Sequence, residues 1–123
     1  MPDIRTAHAF NSDKTKRPVK GVNRHFVAYA EINITSQSSP GRDDNVSFSP
    51  AIKRNSNCDY IAIPDEVILY DSNDTAKYGY FAAASLSTFS ADEEGYLTGG
   101  AWGMAQSAGT IKAKFQVLEI YKY

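Results

Sequence analysis

His25–Thr35 reads HFVAYAEINIT. Phe26, Ala28, Ala30, Ile32 and Ile34 alternate with Val27, Tyr29, Glu31 and Asn33. Period two is the signature of a strand, because successive side chains of an extended chain point to opposite faces. One set makes an apolar face and the other a more polar one. The same period returns in Thr110–Tyr123 (TIKAKFQVLEIYKY), where Ile111, Ala113, Phe115 and Val117 oppose Lys112, Lys114 and Gln116. The alternation then slips: Leu118 and Ile120 are apolar and Glu119 is not, which predicts a β-bulge near Val117-Leu118.

Between these two segments lie shorter ones. Ser36–Asn45 (SQSSPGRDDN) reads as a loop with a Pro40-Gly41 turn pair, and Val46–Ser49 as a short strand before a second loop, Pro50–Asn57. Tyr60–Ile63 and Val67–Tyr70 read as strands meeting at a corner, Pro64-Asp65-Glu66. Asp71–Thr75 and Asp92–Gly95 read as turns. Lys77–Ser90 fits a helix with Tyr78, Phe81, Ala82, Ser85, Leu86 and Phe89 on one face. It fits a strand better, given Gly79 and its Tyr, Phe and Thr content. Tyr96–Thr98 opens a strand, and Gly99–Gly109 (GGAWGMAQSAG) reads as a glycine-rich loop. The expected class is therefore all-β: a small antiparallel β-barrel or β-sandwich of about 7–8 strands with an extended N-terminal arm. Residues 1–21 form the extended basic arm and residues 22–123 a single all-β domain. At 123 residues the chain has room for one ordinary domain.

Composition excludes several function classes. The chain is 42% hydrophobic and 22% charged, the balance of a folding domain. No window approaches the length of a membrane helix, so no membrane role is expected. The first residues, MPDIRTAHAFNSDKTKR, contain no apolar core of a secretory signal, which points to synthesis in the cytoplasm. A single cysteine, Cys58, and two histidines, His8 and His25, leave no disulfide framework and no His- or Cys-rich metal centre, so no cofactor is expected. Asp71, Asn73 and Thr75 have the alternating oxygen spacing of a calcium loop, but Ala76 and Ala82 stand where its glycine and distal glutamate belong. Nucleophile-elbow, zincin, P-loop and dinucleotide-binding motifs are missing.

Charge is unevenly placed. Residues 1–25 hold six cations against two anions, for +4, and the remainder sums to −5. A basic arm before an acidic body fits docking on a neighbouring copy. Six cations without interleaved aromatics disfavour nucleic acid. In the arm, Arg5, Lys16, Arg17 and Lys20 are the candidate electrostatic contacts, and Ile4 and Phe10 the apolar anchors. Trp102, between Ala101 and Gly103, is a further candidate binding residue, able to stack on a ligand or partner.

Leu97-Thr98-Gly99-Gly100, followed by Ala108-Gly109-Thr110-Ile111, resembles the L-T-G-G…A-x-G-x-V stretch of allene oxide cyclase and dirigent-like barrels. Trp102 stands where those barrels place a further glycine. The resemblance implies a barrel that binds or cyclises a small apolar ligand, with Trp102 at its mouth.

Three readings follow. The leading one is a non-enzymatic structural module: a homo-oligomer, or part of a larger assembly, of virion decoration or capsid-stabilising type, whose arm docks on neighbouring subunits. The second is the ligand-binding barrel, which needs a concave internal pocket. The third, a carbohydrate-binding module, rests on exposed aromatics.

Overall fold

A computed structural model describes residues 21–122. Six strands build it: β1 (Val22–Ile34), β2 (Gly41–Ser47), β3 (Cys58–Tyr70), β4 (Ala82–Ala91), β5 (Leu97–Ala105) and β6 (Gly109–Tyr121). They form two antiparallel three-stranded sheets, ordered β1-β6-β3 and β2-β5-β4. The architecture is thus an open sandwich and not a closed barrel, and the described residues hold six strands instead of seven or eight. At one seam a single bridge links the layers: Tyr29 and Ser49 exchange backbone hydrogen bonds of 2.8 and 2.9 Å. The arm expected over residues 1–21 lies almost wholly outside the described residues.

β1 buries Ala28, Ala30, Ile32 and Ile34, the face its alternation predicts. β6 lies at the centre of the first sheet, and Ile111, Ala113, Phe115 and Val117 on its inner face are fully buried. Here the expected bulge is overturned. β6 pairs continuously with both neighbours from Thr110 to Ile120, and the register shifts fall on the partners, between Val22 and Arg24 and between Pro64 and Glu66. Glu119 continues the inward set and is itself fully buried, so Leu118 and Ile120 turn outward.

The glycine-rich loop is also overturned: most of it is β5, the central strand of the second sheet. Its inner face is Leu97, Gly99, Ala101, Gly103 and Ala105. After Leu97 these positions are small because large neighbours occupy the space. A Cβ on Gly103 would lie 3.1 Å from Ile111 and 3.3 Å from Ile32, and one on Gly99 3.3 Å from Phe89. Gly103 thus faces large residues of the other layer, Gly99 faces a ring of its own sheet, and both interdigitate at interior density.

Three smaller departures share a cause, which is edge position. β3 runs unbroken through Pro64, where two separate strands were expected. It is an edge strand, so proline's missing N–H need not break a ladder. β2 extends back into Arg42-Asp43-Asp44-Asn45 as a bulged edge. β4 starts at Ala82, so Tyr78, Tyr80 and Phe81 belong to an exposed connection instead of a strand face.

Candidate functional site

The densest polar chemistry lies between β1, β3 and β6. Glu119 Oε1 accepts hydrogen bonds from Arg24 Nε at 2.6 Å and from Asn23 Nδ2 at 2.8 Å. Its Oε2 accepts from Arg24 Nη2 at 2.6 Å and from the Tyr60 hydroxyl. The Tyr60 oxygen in turn receives the Asn55 N–H at 2.8 Å, and Arg24 Nη2 also reaches the Lys53 carbonyl at 3.0 Å. The Tyr121 hydroxyl donates to Asn23 at 2.6 Å. Sequence reasoning missed this cluster. The signal was the odd-numbered inner face of β6, which leads from Ile111 to Glu119 without interruption.

Electrostatics define what the cluster can do. Burial pushes the Glu119 pKa up, but Arg24, Tyr60 and Asn23 outweigh it and hold the carboxyl below its ordinary range. Burial first, then the bond to Glu119, pushes the Tyr60 phenol up to about 12. The bond to Glu119 holds the Arg24 guanidinium above its ordinary value. A carboxylate offers about four acceptor positions, and four donors fill them here. Glu119 is therefore a clamp between strands and has no lone pair left for base catalysis. Cys58, beside it, is buried, and burial and the nearby Glu119 charge raise its pKa, the opposite of an activated thiolate.

The pH dependence of stability follows from these shifts. Glu119 is depressed in the folded state, so its contribution is present above the ordinary 4.5 and is lost as pH falls. Tyr60 is raised, so its contribution is present below 10.0 and is lost as pH rises toward about 12. Urea midpoints are expected to drop on both limbs. Tyr60→Phe should flatten the alkaline limb, and an unchanged alkaline slope would contradict the assignment.

Asp71–Thr75, with its calcium-like oxygen spacing, is the turn its composition predicts. Asp71 Oδ1 receives the N–H groups of Asn73 at 2.9 Å and Thr75 at 3.0 Å, and Oδ2 faces Lys77 at 3.4 Å. The Thr75 N–H leads in holding Asp71 below its ordinary pKa. Asp92 caps the next turn in the same way, through Glu94 and Tyr96. Among the described residues no group of His, Cys, Asp or Glu could hold a metal ion, and no helix is long and apolar enough to cross a membrane.

Of the sequence-derived candidates, Ile4, Arg5, Phe10, Lys16, Arg17 and Lys20 lie outside the described residues. Trp102 lies in β5, half-buried, on the outer face of the second sheet and not in a loop. Comparison with known protein families, curated proteins and solved structures gave no match. The resemblance to allene oxide cyclase and dirigent-like barrels therefore stands on its short motif alone. Leu97–Gly100 of that motif lies in a central strand, and the space between the sheets holds buried Ile32, Leu69, Ile111, Phe115 and Val117.

The outer face of the first sheet divides in two. Paired rows at one end are Val22–Ile120–Asp59, His25–Leu118–Ile61 and Val27–Gln116–Ile63. Val22, Val27, Ile61 and Ile63 are exposed there, with Leu118 and Ile120 between them. Rows at the other end are Tyr29–Lys114–Glu66 and Glu31–Lys112–Ile68, which mix charges. Lys112 meets Asp74 at 2.9 Å and Lys114 meets Asp65 at 3.6 Å. The apolar half exists because Glu119 keeps β6 in phase and turns two apolar side chains outward.

Proposed function

We propose that this chain is a non-enzymatic assembly module, a small β protomer whose residues 1–20 dock on a neighbouring copy in the manner of virion decoration or capsid-stabilising subunits. The apolar half-face of the first sheet carries this reading. Contiguous apolar surface of this kind on a small domain marks an interaction site. The occupant is residues 1–20 of another copy. That segment joins the body at Gly21, beside the apolar rows, and supplies Ile4, Phe10 and Val19 as apolar side chains. Fully extended, twenty residues reach roughly 65 Å, enough to cross to a neighbour. Its cations suit the rim of the half-face, where Asp59, Asp65 and Glu66 lie. Exchange of such a segment is head-to-tail and closes rings or continues along a lattice.

Light scattering tests it on the full chain and on a chain lacking residues 1–20, at low and high salt. The full chain is expected to be an oligomer that loosens with salt, and the truncated chain a folded monomer. Equal assembly of the two would overturn the proposal.

A further inference from the structure

We propose that the outer face of the second sheet carries a binding site for a neutral sugar ring, built around Gly100 and Trp102. This inference is independent of the assembly reading, because it concerns the opposite layer and other residues.

Both edge strands bulge at adjacent positions of the central strand. On β2, Asp44 and Asn45 together oppose Gly100, between the pairs Asp43–Ala101 and Val46–Gly99. On β4, Thr88 and Phe89 together oppose Gly99, between the pairs Ser87–Gly100 and Ser90–Thr98. Asp43 Oδ1 holds the first bulge by accepting the Asn45 N–H at 3.0 Å. The two bulges converge over Gly100. A Cβ there would lie 3.2 Å from the Ser87 carbonyl, 3.6 Å from Thr88 and 4.0 Å from the Asp44 carbonyl. Gly100 is thus the floor of a cleft of about 280 Å³, with Arg42, Asp44, Ser87, Thr88 and Trp102 around it.

Thr88 sharpens the case. Its φ of 55° is left-handed, a conformation that a β-branched residue adopts only under constraint. Such strain collects at ligand sites. Bulges likewise gather where a side chain is re-aimed.

The chemistry selects the ligand. Trp102 offers an indole face, and Gly100, two residues earlier on the same face, leaves it open on that side. Arg42 supplies donors, Asp44 supplies acceptors, and the Ser87 and Thr88 hydroxyls supply both. One cation and one anion leave the cleft with no net charge, which suits a neutral polyol better than a phosphate or an amine. A pyranose has the matching form: a C–H-rich face for the indole and hydroxyls at its edge.

Trp102 is the single tryptophan, so its fluorescence reports on the cleft directly. Cellohexaose, maltohexaose, mannohexaose and chitohexaose are each titrated into the full chain. A saturable change is expected with at least one of them. Asp44→Ala and Arg42→Ala should weaken that affinity at least about tenfold, the size of a lost charge-assisted hydrogen bond. Both residues are exposed, so thermal unfolding without sugar serves as the folding control. No saturable change with any of the four, or affinities within about twofold of wild type in both folded variants, would overturn the proposal.

Discussion

Arg24→Ala is expected to destabilise the protein by about 2–4 kcal/mol. Glu119 is fully buried, whereas the Arg24 side chain is 43% exposed. The substitution therefore leaves a carboxylate in the interior without its counter-charge, and breaking an enclosed pair this way costs about 3–5 kcal/mol. Solvent around the guanidinium lowers the figure. The variant should also reverse the pH response, since Glu119 without Arg24 retains the burial that raises its pKa. Its stability should then improve as pH falls toward 4.5, a range in which Glu119 keeps its full contribution in the wild type. Replacing Arg24 and Glu119 together with leucine should cost far less than Arg24→Ala, because an apolar pair of similar volume removes both charges. Urea unfolding of the three proteins measures the order. A single variant no less stable than the double one would contradict the clamp.

Phe115→Ala is expected to cost about 3–5 kcal/mol, the range for deleting a buried aromatic ring. Among the described residues Phe115 is the largest fully buried side chain, and it sits mid-strand in β6, the centre of its sheet. For a body of this size each kcal/mol lowers Tm by about 4–8 °C, so calorimetry should show a fall of tens of degrees. Phe115→Leu should recover most of it. A drop of only a few degrees in Phe115→Ala would mean that the sheets close over the space.

What the sequence discloses follows a physical line. β1 is legible because its two faces meet different environments, apolar interior and water. The turns at Asp71 and Asp92 are legible because an aspartate side chain accepts local N–H groups in a recognisable pattern. β5 is not legible, since its inner residues are small to fit Ile32, Ile111 and Phe89 of other strands. Glycine in that role looks like a loop until its neighbours are known. The end of β6 misleads for a related reason. A buried Glu119 looks like a phase error, and only Arg24, Asn23 and Tyr60, from other strands, make the burial tolerable. Pro64 and the Asp43–Asn45 run look like breaks because edge position is a property of the sheet. At the cleft over Gly100, Trp102 is visible from its glycine neighbours. Asp44 and Thr88 join it only through two bulges that pair with the same strand.

Assembly through the apolar half-face is most directly tested by sedimentation equilibrium of the full-length protein and of Ile61→Asp. Ile61 is exposed in the middle row of that half-face, so a charge there disturbs docking and spares the core. The wild type should sediment as a multiple of 13.5 kDa and the variant as a single chain with unchanged thermal unfolding. A wild type that sediments as a single chain at every concentration, or an Ile61→Asp protein that assembles as the wild type does, would contradict it.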